Sequence, residues 1–461
     1  CPALGLVSDQ SWKVMRHPSF FLTGGVQPNY RLAESNVGFD ARQNIEGWEK
    51  SGYNDAGWQP AIEKGCPPVK PWGKLVERPI PLFKNYGLSH YVKIEKEVNR
   101  IIGYLPADIH VTPYIRLKAN AGLVVDMRTD DYIIEFNSAC ASVRSEYITR
   151  EGEQEFETFA WMNGHKVIYT IPEGVEVLDL KYRETGYNTD FTGSFQCEDA
   201  FYNELWEKAR RTVYVNMRDN FSDCPERERG QWWGDLTNEI AQIHYGFDTR
   251  ALMLADKAIR NLVDWQRTDS TMFAPVPAGN WYDELPQQIM ASAGYYGFWD
   301  YFLYTGDSAL VRHIYPAVKK YAAVWKLDDK NLVVHRKGEW DWADWGDNID
   351  DKLLDNAWYI LLLKGTTGMA RICGDDAAVH EYEQTIEKVK NAVNQYCHSG
   401  ELYRSAEYKG LTDDRANAMM VLSGIADTSC YKSIAAFLEK EMRASPYMER
   451  YVLEALCVMK K

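Results

Sequence analysis

The stretch DCPERERGQWWGD, residues 223–235, concentrates chemistry more than any other part of the sequence. Six of its thirteen positions are charged and two are tryptophan. Carboxylates give or take protons, and indole rings offer a flat apolar wall with one N–H donor. Pro225 fits a first helical turn, and Asp223 two residues earlier is placed to cap exposed N–H groups. In a helical turn over 225–233, Glu228 and Trp232 stand four apart on one face, with Arg227 and Arg229 flanking Glu228.

These residue types fit two readings. In one, a carboxylic acid protonates the leaving oxygen of a glycosidic bond. A second carboxylate, on the opposite face of the sugar, attacks or activates water. Trp232 and Trp233 then wall the sugar. In the other, the stretch is a salt-bridged helix start in which Asp223 caps, Glu and Arg pair locally and Trp packs.

A looser aromatic and acidic stretch, WDWADWGDNID, occupies residues 340–350 with three Trp and four Asp. It is a poor core and a good ligand shelf. The whole chain has 16 Trp and 29 Tyr, many beside Asp, Gly or Asn, as in GNWYDE around Trp281. Such rings suit the C–H face of a sugar, although each one taken alone is equally at home in a core.

The elements that must position these residues change character near residue 195. Before it, short segments alternate with period two, as in Ile115-Arg116-Leu117-Lys118, DYIIEFNSA (131–139) and VEVLDLKYRE (175–184). Gly, Pro, Asn and Asp separate them. This predicts two antiparallel β-sandwich units, 1–85 and 86–194. After 195 the period becomes 3.6. Val379, Tyr382, Ile386, Val389 and Val393 share one helix face, and about ten such stripes follow one another with short connections. Asp307, Asp375 and Ser445 stand where N-caps belong. Antiparallel helical hairpins over 195–461 predict a toroid whose loops share a rim. Both the 223–235 and 340–350 stretches fall on that rim. The fold class expected is thus multidomain β + α.

With 461 residues, several domains are expected. The net charge of −14 makes nucleic acid a poor partner. No apolar run is long enough for a membrane span. The nine cysteines are scattered without a CxxC pair, and the nine histidines form no HExxH. Neither a disulfide framework nor a catalytic metal is expected, and no cofactor is implied. A structural calcium in the sandwich region is compatible with the fold, but no ligand cluster in the sequence supports one.

DCPERERGQWWGD resembles the signature of the bacterial α-L-rhamnosidases, inverting glycosidases with an (α/α)6 barrel. The approach TGSFQCEDAFYNELWEKARRTVYVNMRDNFS, the segment FDAR…GWEKSGYNDAGWQPA (39–61), LPQQ with YTGD (285–307) and WADWG (342–346) are also similar to that family. The resemblance implies a carbohydrate substrate, terminal α-L-rhamnose or a related deoxysugar. It implies Glu228 as general acid, Asp223 and Asp235 as carboxylates on the sugar hydroxyls, and Arg227 and Trp232 as sugar contacts. Trp281, Asp341, Trp342 and Trp345 match only as shelf residues. The family's general base, a glutamate in a stretch like Thr-Thr-Leu-Trp-Glu, has no counterpart here, since GTTGMAR (365–371) lacks the Trp and the Glu. A barrel of twelve helices also exceeds the ten or so counted. The expectation is that the base and the last hairpin lie outside this chain, and that the 461 residues alone are nearly inactive. The alternatives are a carbohydrate-binding pseudo-enzyme and a six-hairpin glycosidase for another sugar. Polysaccharide-degrading chemistry favours an extracytoplasmic location, although no export signal is visible.

Overall fold

The computed structural model of the chain describes residues 8–24, 36–131, 143–225, 228–277 and 282–460. It divides into two units, Cys1–Asn188 with Pro225–Glu228, and Thr189–Cys224 with Arg229–Lys461.

The first unit is built on one long strand, β7 (Arg100–Ala119). Ile115 and Leu117 are fully buried while Arg116 and Lys118 point outward, as the alternation predicts. The two halves of β7 have different neighbours. Arg100–Tyr104 pairs with β6 (Lys93–Glu97) on one edge and β11 (Met162–Thr170) on the other. The later half pairs with β10 (Gly152–Glu157) and β12 (Val175–Gly186). From β11 the sheet continues through β8 (Val124–Thr129) and β9 (Ser145–Ile148) to β3 (Val37–Asp40) and β2 (Phe20–Leu22). A single apolar cluster draws on strands of both groups, from Ile109, Val111 and Ile115 to Tyr147, Phe156 and Leu180.

The division expected at residue 85 is therefore corrected. Strand β3 pairs in parallel with β9, more than a hundred residues later in the chain, so segments assigned to two units share one sheet. The strand expected over 131–139 lies, beyond Asp131, outside the described residues. No disulfide joins the described cysteines.

The second unit is helical. Among the described residues it holds α1 (Ala200–Val215), α2 (Trp233–Gly246), α3 (Thr249–Asp264), α4 (Pro286–Ala293), α5 (Asp300–Thr305), α6 (Ser308–Ala322), α7 (Asp351–Cys373), α8 (Asp376–Tyr396), α9 (Asp414–Leu422), α10 (Tyr431–Glu441) and α11 (Pro446–Val458). The predicted caps are in place. Asp307 accepts from Ala309 and Leu310, Asp375 from Ala378, and Ser445 from Tyr447, with Pro446 opening α11. On α8, Tyr382, Val389 and Val393 are buried, and Val379 and Ile386 half-buried. Between Pro286 and Thr305 the helical path is broken into α4, a π turn (Tyr295–Trp299) and α5. The break falls where α7 crosses closely. A Cβ on Gly294 would stand 2.7 Å from the Leu362 Cα, and one on Gly365 would stand 2.7 Å from the Gly294 carbonyl carbon.

Helix α9 is buried from Asp414 to Val421, including its arginine. Arg415 Nε donates to Asp413 (2.8 Å), Nη1 to Asp344 (3.2 Å), and Nη2 to the carbonyls of Asp347 (2.8 Å) and Asn348 (3.0 Å). Asp413 in turn accepts from the Asp350 N–H (2.9 Å), and Asp350 from Ser405 (2.8 and 2.6 Å). Truncating one partner of such a network leaves the other charges buried and uncompensated. Arg415→Ala is expected to cost about 3–5 kcal/mol, read as a lower denaturation midpoint of the helical unit.

Candidate functional site

The loop between α1 and α2 is tied at its base. The Asp223 N–H donates to the Gly230 carbonyl (2.9 Å), and the Gly230 N–H donates back to Asp223 Oδ1 (3.0 Å). Asp223 thus closes the turn that carries Glu228, and its carboxylate works as a backbone acceptor as well as a charge. The next residue along is held from the core side. Gln231 Oε1 accepts from Phe221 (3.2 Å), and its Nε2 donates to the Val276 carbonyl (2.6 Å). Arg229 takes a left-handed backbone (φ 52°) and is buried. Glu228 is half-buried. Arg227 and Trp281 lie outside the described residues.

Both tryptophans of the loop are buried, Trp232 at 7% exposure, but they pack on different partners. Trp232 ends the loop with its ring edge-on to Trp340 (5.9 Å between centroids). Trp233, the first residue of α2, is fully buried and packs on Phe298 (5.8 Å). The expected sugar wall at Trp233 is therefore corrected to core, because the first turn of α2 turns that position inward with Leu236, Thr237 and Ile240.

From Trp232 an arc of rings runs across the 340–345 loop. Trp340 meets Trp345 (6.3 Å), Trp345 meets Trp342 (5.4 Å), and Trp342 meets Tyr447 of α11 (4.9 Å). Trp345 is 61% exposed, whereas Trp342 is only 9% exposed. Trp345 is thus the open ring of the shelf and Trp342 its support. Asp344, the carboxylate between them, is buried against Arg415 and accepts from the Ser445 N–H (3.0 Å), so it anchors the loop.

Carboxylates gather beside this arc. Asp235 is exposed on the first turn of α2, and Glu239 follows one turn later with 8% exposure. Burial pushes the Glu239 carboxyl well above the usual range, the charges of Asp235 and Asp223 push it further, and a hydrogen bond from Asn216 acts the other way. Glu239 Oε2 has no hydrogen-bond partner. Burial, then Tyr451 and Asp235, push the hydroxyl of half-buried Tyr447 above its usual range.

Asp341 is held by His335. His335 Nε2 is 3.1 Å from Asp341 and Nδ1 is 2.7 Å from buried Asp355, which also accepts from Gln287 (2.9 Å). The hydrogen bond to Asp355 raises His335 to about 9, with Asp341 adding to it. Burial, then Asp341 and Asp355, push Asp351 up to about 6.

The sequence-predicted residues thus fall into one described constellation on the helical unit: Asp223, Trp232, Asp235, Trp342 and Trp345, with Asp341 on the same loop. Sequence reasoning missed Trp340, Glu239, His335 and Tyr447. Glu239 had a signal, the i,i+4 spacing from Asp235. Tyr447 had none, being more than two hundred residues away.

The model of the bacterial alpha-L-rhamnosidase 6 hairpin glycosidase domain matches residues 190–447. An alpha-L-rhamnosidase of Formosa agariphila is 22% identical over 430 residues, covering 84% of this chain and 43% of its own length. The chain thus spans less than half of that curated relative. Among solved structures, an alpha-L-rhamnosidase from Dictyoglumus thermophilum superposes with a TM-score of 0.78 at 19% identity, over 98% of this chain and 52% of that one. The Streptomyces avermitilis alpha-L-rhamnosidase, complexed with L-rhamnose, gives 0.75 at 17% identity, over 92% and 42%. Likeness at these identities establishes the fold: β-sheet first, helical hairpins after. No helix among the described residues is long and apolar enough to cross a membrane.

Two pH effects follow. Glu239 binds its proton more tightly folded than unfolded, so its contribution is present below the ordinary carboxylate pKa and lost as pH rises above it. Thermal melts from pH 4 to 8 are expected to show Glu239→Gln gaining on the wild type as pH rises. His335 also has a raised folded pKa, so its pairing is intact below 6.5 and lost as pH rises through about 9. His335→Gln is expected to flatten the wild type's loss of stability in that window.

Proposed function

The chain belongs to the bacterial alpha-L-rhamnosidase six-hairpin glycosidase family, and from that premise we propose that it supplies the acid side of an inverting glycoside hydrolase acting on terminal α-L-rhamnose or a related deoxysugar. Glu228 protonates the leaving oxygen as the bond to the anomeric carbon breaks. Water attacks from the opposite face and passes its proton to a second carboxylate. An inverting pair stands about 6.5–9.5 Å apart to admit that water. None of the 461 residues is assigned that second role.

The observation that carries the reading is the closure of the loop by Asp223 beside an aromatic arc. An acid on a free loop would wander, whereas paired hydrogen bonds at Asp223 and Gly230 fix both ends of the turn bearing Glu228. Trp345, the open ring of the arc, suits the apolar face of a deoxysugar, with Trp340 and buried Trp232 behind it. In this reading Asp223 and Asp235 accept from its hydroxyls. The carried-over roles of Arg227 and Trp281 belong to this reading too, as do the finer architecture of β-sandwich followed by (α/α)6 ring and an extracytoplasmic site of action.

Glu228→Gln in the full-length protein tests it. The expected loss in kcat on a rhamnoside with an alkyl leaving group is about 10²–10⁴-fold. With a nitrophenyl leaving group, which departs without much protonation, the loss is expected to be smaller. Unchanged turnover on both substrates would move the acid elsewhere. Rhamnose binding without turnover by the wild-type protein would replace catalysis with sugar capture.

A further inference from the structure

We propose that the first unit carries a divalent-metal site of mixed oxygen and nitrogen donors, formed by Asp108, Asp131 and His165 with Asn163 as a fourth ligand, and suited to Zn²⁺ or Mn²⁺.

The site grows out of an irregularity between β7 and β11. Tyr104 pairs with Lys166 and Ile109 with Gly164, so Leu105–Asp108 stand opposite His165 alone. Pro106 lies in that stretch and has no N–H to give a ladder. Bulges of this kind re-aim side chains. Here they release Asp108 and His165 from regular pairing at the same point.

The turn after β8 closes on that point. Asp130 Oδ1 accepts the N–H groups of His165 (2.9 Å) and Lys166 (2.8 Å). Gly164 permits the approach, since a Cβ there would stand 2.7 Å from Asp130 Oδ1 and 2.8 Å from the Thr129 Cβ. With Asp130 pinned, Asp131 comes beside Asp108 and His165. One ligand atom of each of these three lies within 4.8 Å of the others.

An independent feature points to a cation. Asn163 is 1% exposed, and its Nδ2 lies 2.7 Å from Asp108 Oδ1 and 3.1 Å from Asp131 Oδ2. The amide is therefore aimed between the two carboxylates. Its other end, Oδ1, is buried with no hydrogen-bond partner. Rotation about χ2 exchanges the two ends. Nitrogen inward, the amide bridges the carboxylates. Oxygen inward, it completes a set of three oxygens and one imidazole around a cation, and the amide N–H groups turn to the outer side where Oδ1 otherwise stands without a partner.

The donor set chooses the metal. Calcium and magnesium take oxygen ligands. An imidazole with carboxylates suits zinc or manganese. His165 is exposed, so the site has an entry path from solvent. Bound metal would join β7, the turn after β8 and β11.

Calorimetry on chelator-stripped protein, with ZnCl₂, MnCl₂ and CaCl₂ as separate probes, tests the site. One equivalent of Zn²⁺ or Mn²⁺ per chain is expected, with a rise in Tm. His165→Ala, at an exposed position, is expected to keep the metal-free Tm and raise Kd at least tenfold. Asp108→Asn should do the same to Kd. Absence of stoichiometric binding overturns the proposal. So does binding that survives both substitutions, which belongs to other donors, and so does a preference for Ca²⁺, which removes His165 from the ligand set.

Discussion

A buried guanidinium holds the working face of the helical unit in place. Arg415 sits on α9 with no exposed surface, and each of its nitrogens has an acceptor: Asp413, Asp344 and the carbonyls of Asp347 and Asn348. Removing such a charge from water is expensive, and pairing offsets this only when the geometry satisfies every donor. What the arrangement provides is position. The 340–348 loop has no helix or strand of its own, yet three backbone or side-chain groups within it end on one rigid fork. A lysine presents a point charge and could not bind a carboxylate and two carbonyls in fixed directions. Through Asp344 and Ser445 the same fork reaches the start of α11, and through Asp413 and Asp350 the start of α7.

The aromatic arc depends on that anchorage. Trp340 and Trp345 flank Asp341, Trp342, Ala343 and Asp344, so a shift of the Arg415 fork would move both rings at once. Trp342, buried between Trp345 and Tyr447, transmits the position of α11 to the exposed ring. His335 steadies Asp341 from the other side, using a proton held by two carboxylates. The shelf is thus fixed by ionic contacts beneath and ring contacts along it, leaving one face of Trp345 open.

Local chemistry in the sequence was legible, and long-range placement was not. Alternation at Ile115–Lys118 gives the strand and its inward face because burial has period two. Asp307, Asp375 and Ser445 declare helix starts because their side chains reach only nearby N–H groups. The parallel pairing of β3 with β9 leaves no local trace, so a division near residue 85 looks natural in the sequence and is absent from the sheet. The break at Gly294 has the same origin: its cause is Leu362 on another helix. Trp232 and Trp233 are adjacent and chemically identical, and both are buried, Trp232 against Trp340 of a distant loop and Trp233 against Phe298, partners that nothing local declares. For the site, the motif supplied Asp223, Trp232 and Asp235, whereas Tyr447 and the Arg415 fork come from chain more than a hundred residues downstream of it.

The Asp223–Gly230 closure shows how one residue serves placement and charge together. A loop position is imprecise unless its stems are fixed. Here the N-terminal stem is fixed by Asp223 and Phe221, and the C-terminal stem by Gly230 and Gln231, each through hydrogen bonds across the turn or to Val276. The other oxygen of Asp223 faces the Cys224 thiol (3.4 Å), and its charge, after burial and Asp235, pushes the Glu239 carboxyl up. A charged Glu239 is disfavoured at this point first by its own burial and then by the charges of exposed Asp235 and half-buried Asp223. Asp223 therefore joins the two: it closes the turn through Gly230 and adds to the proton affinity of Glu239 on the helix that follows.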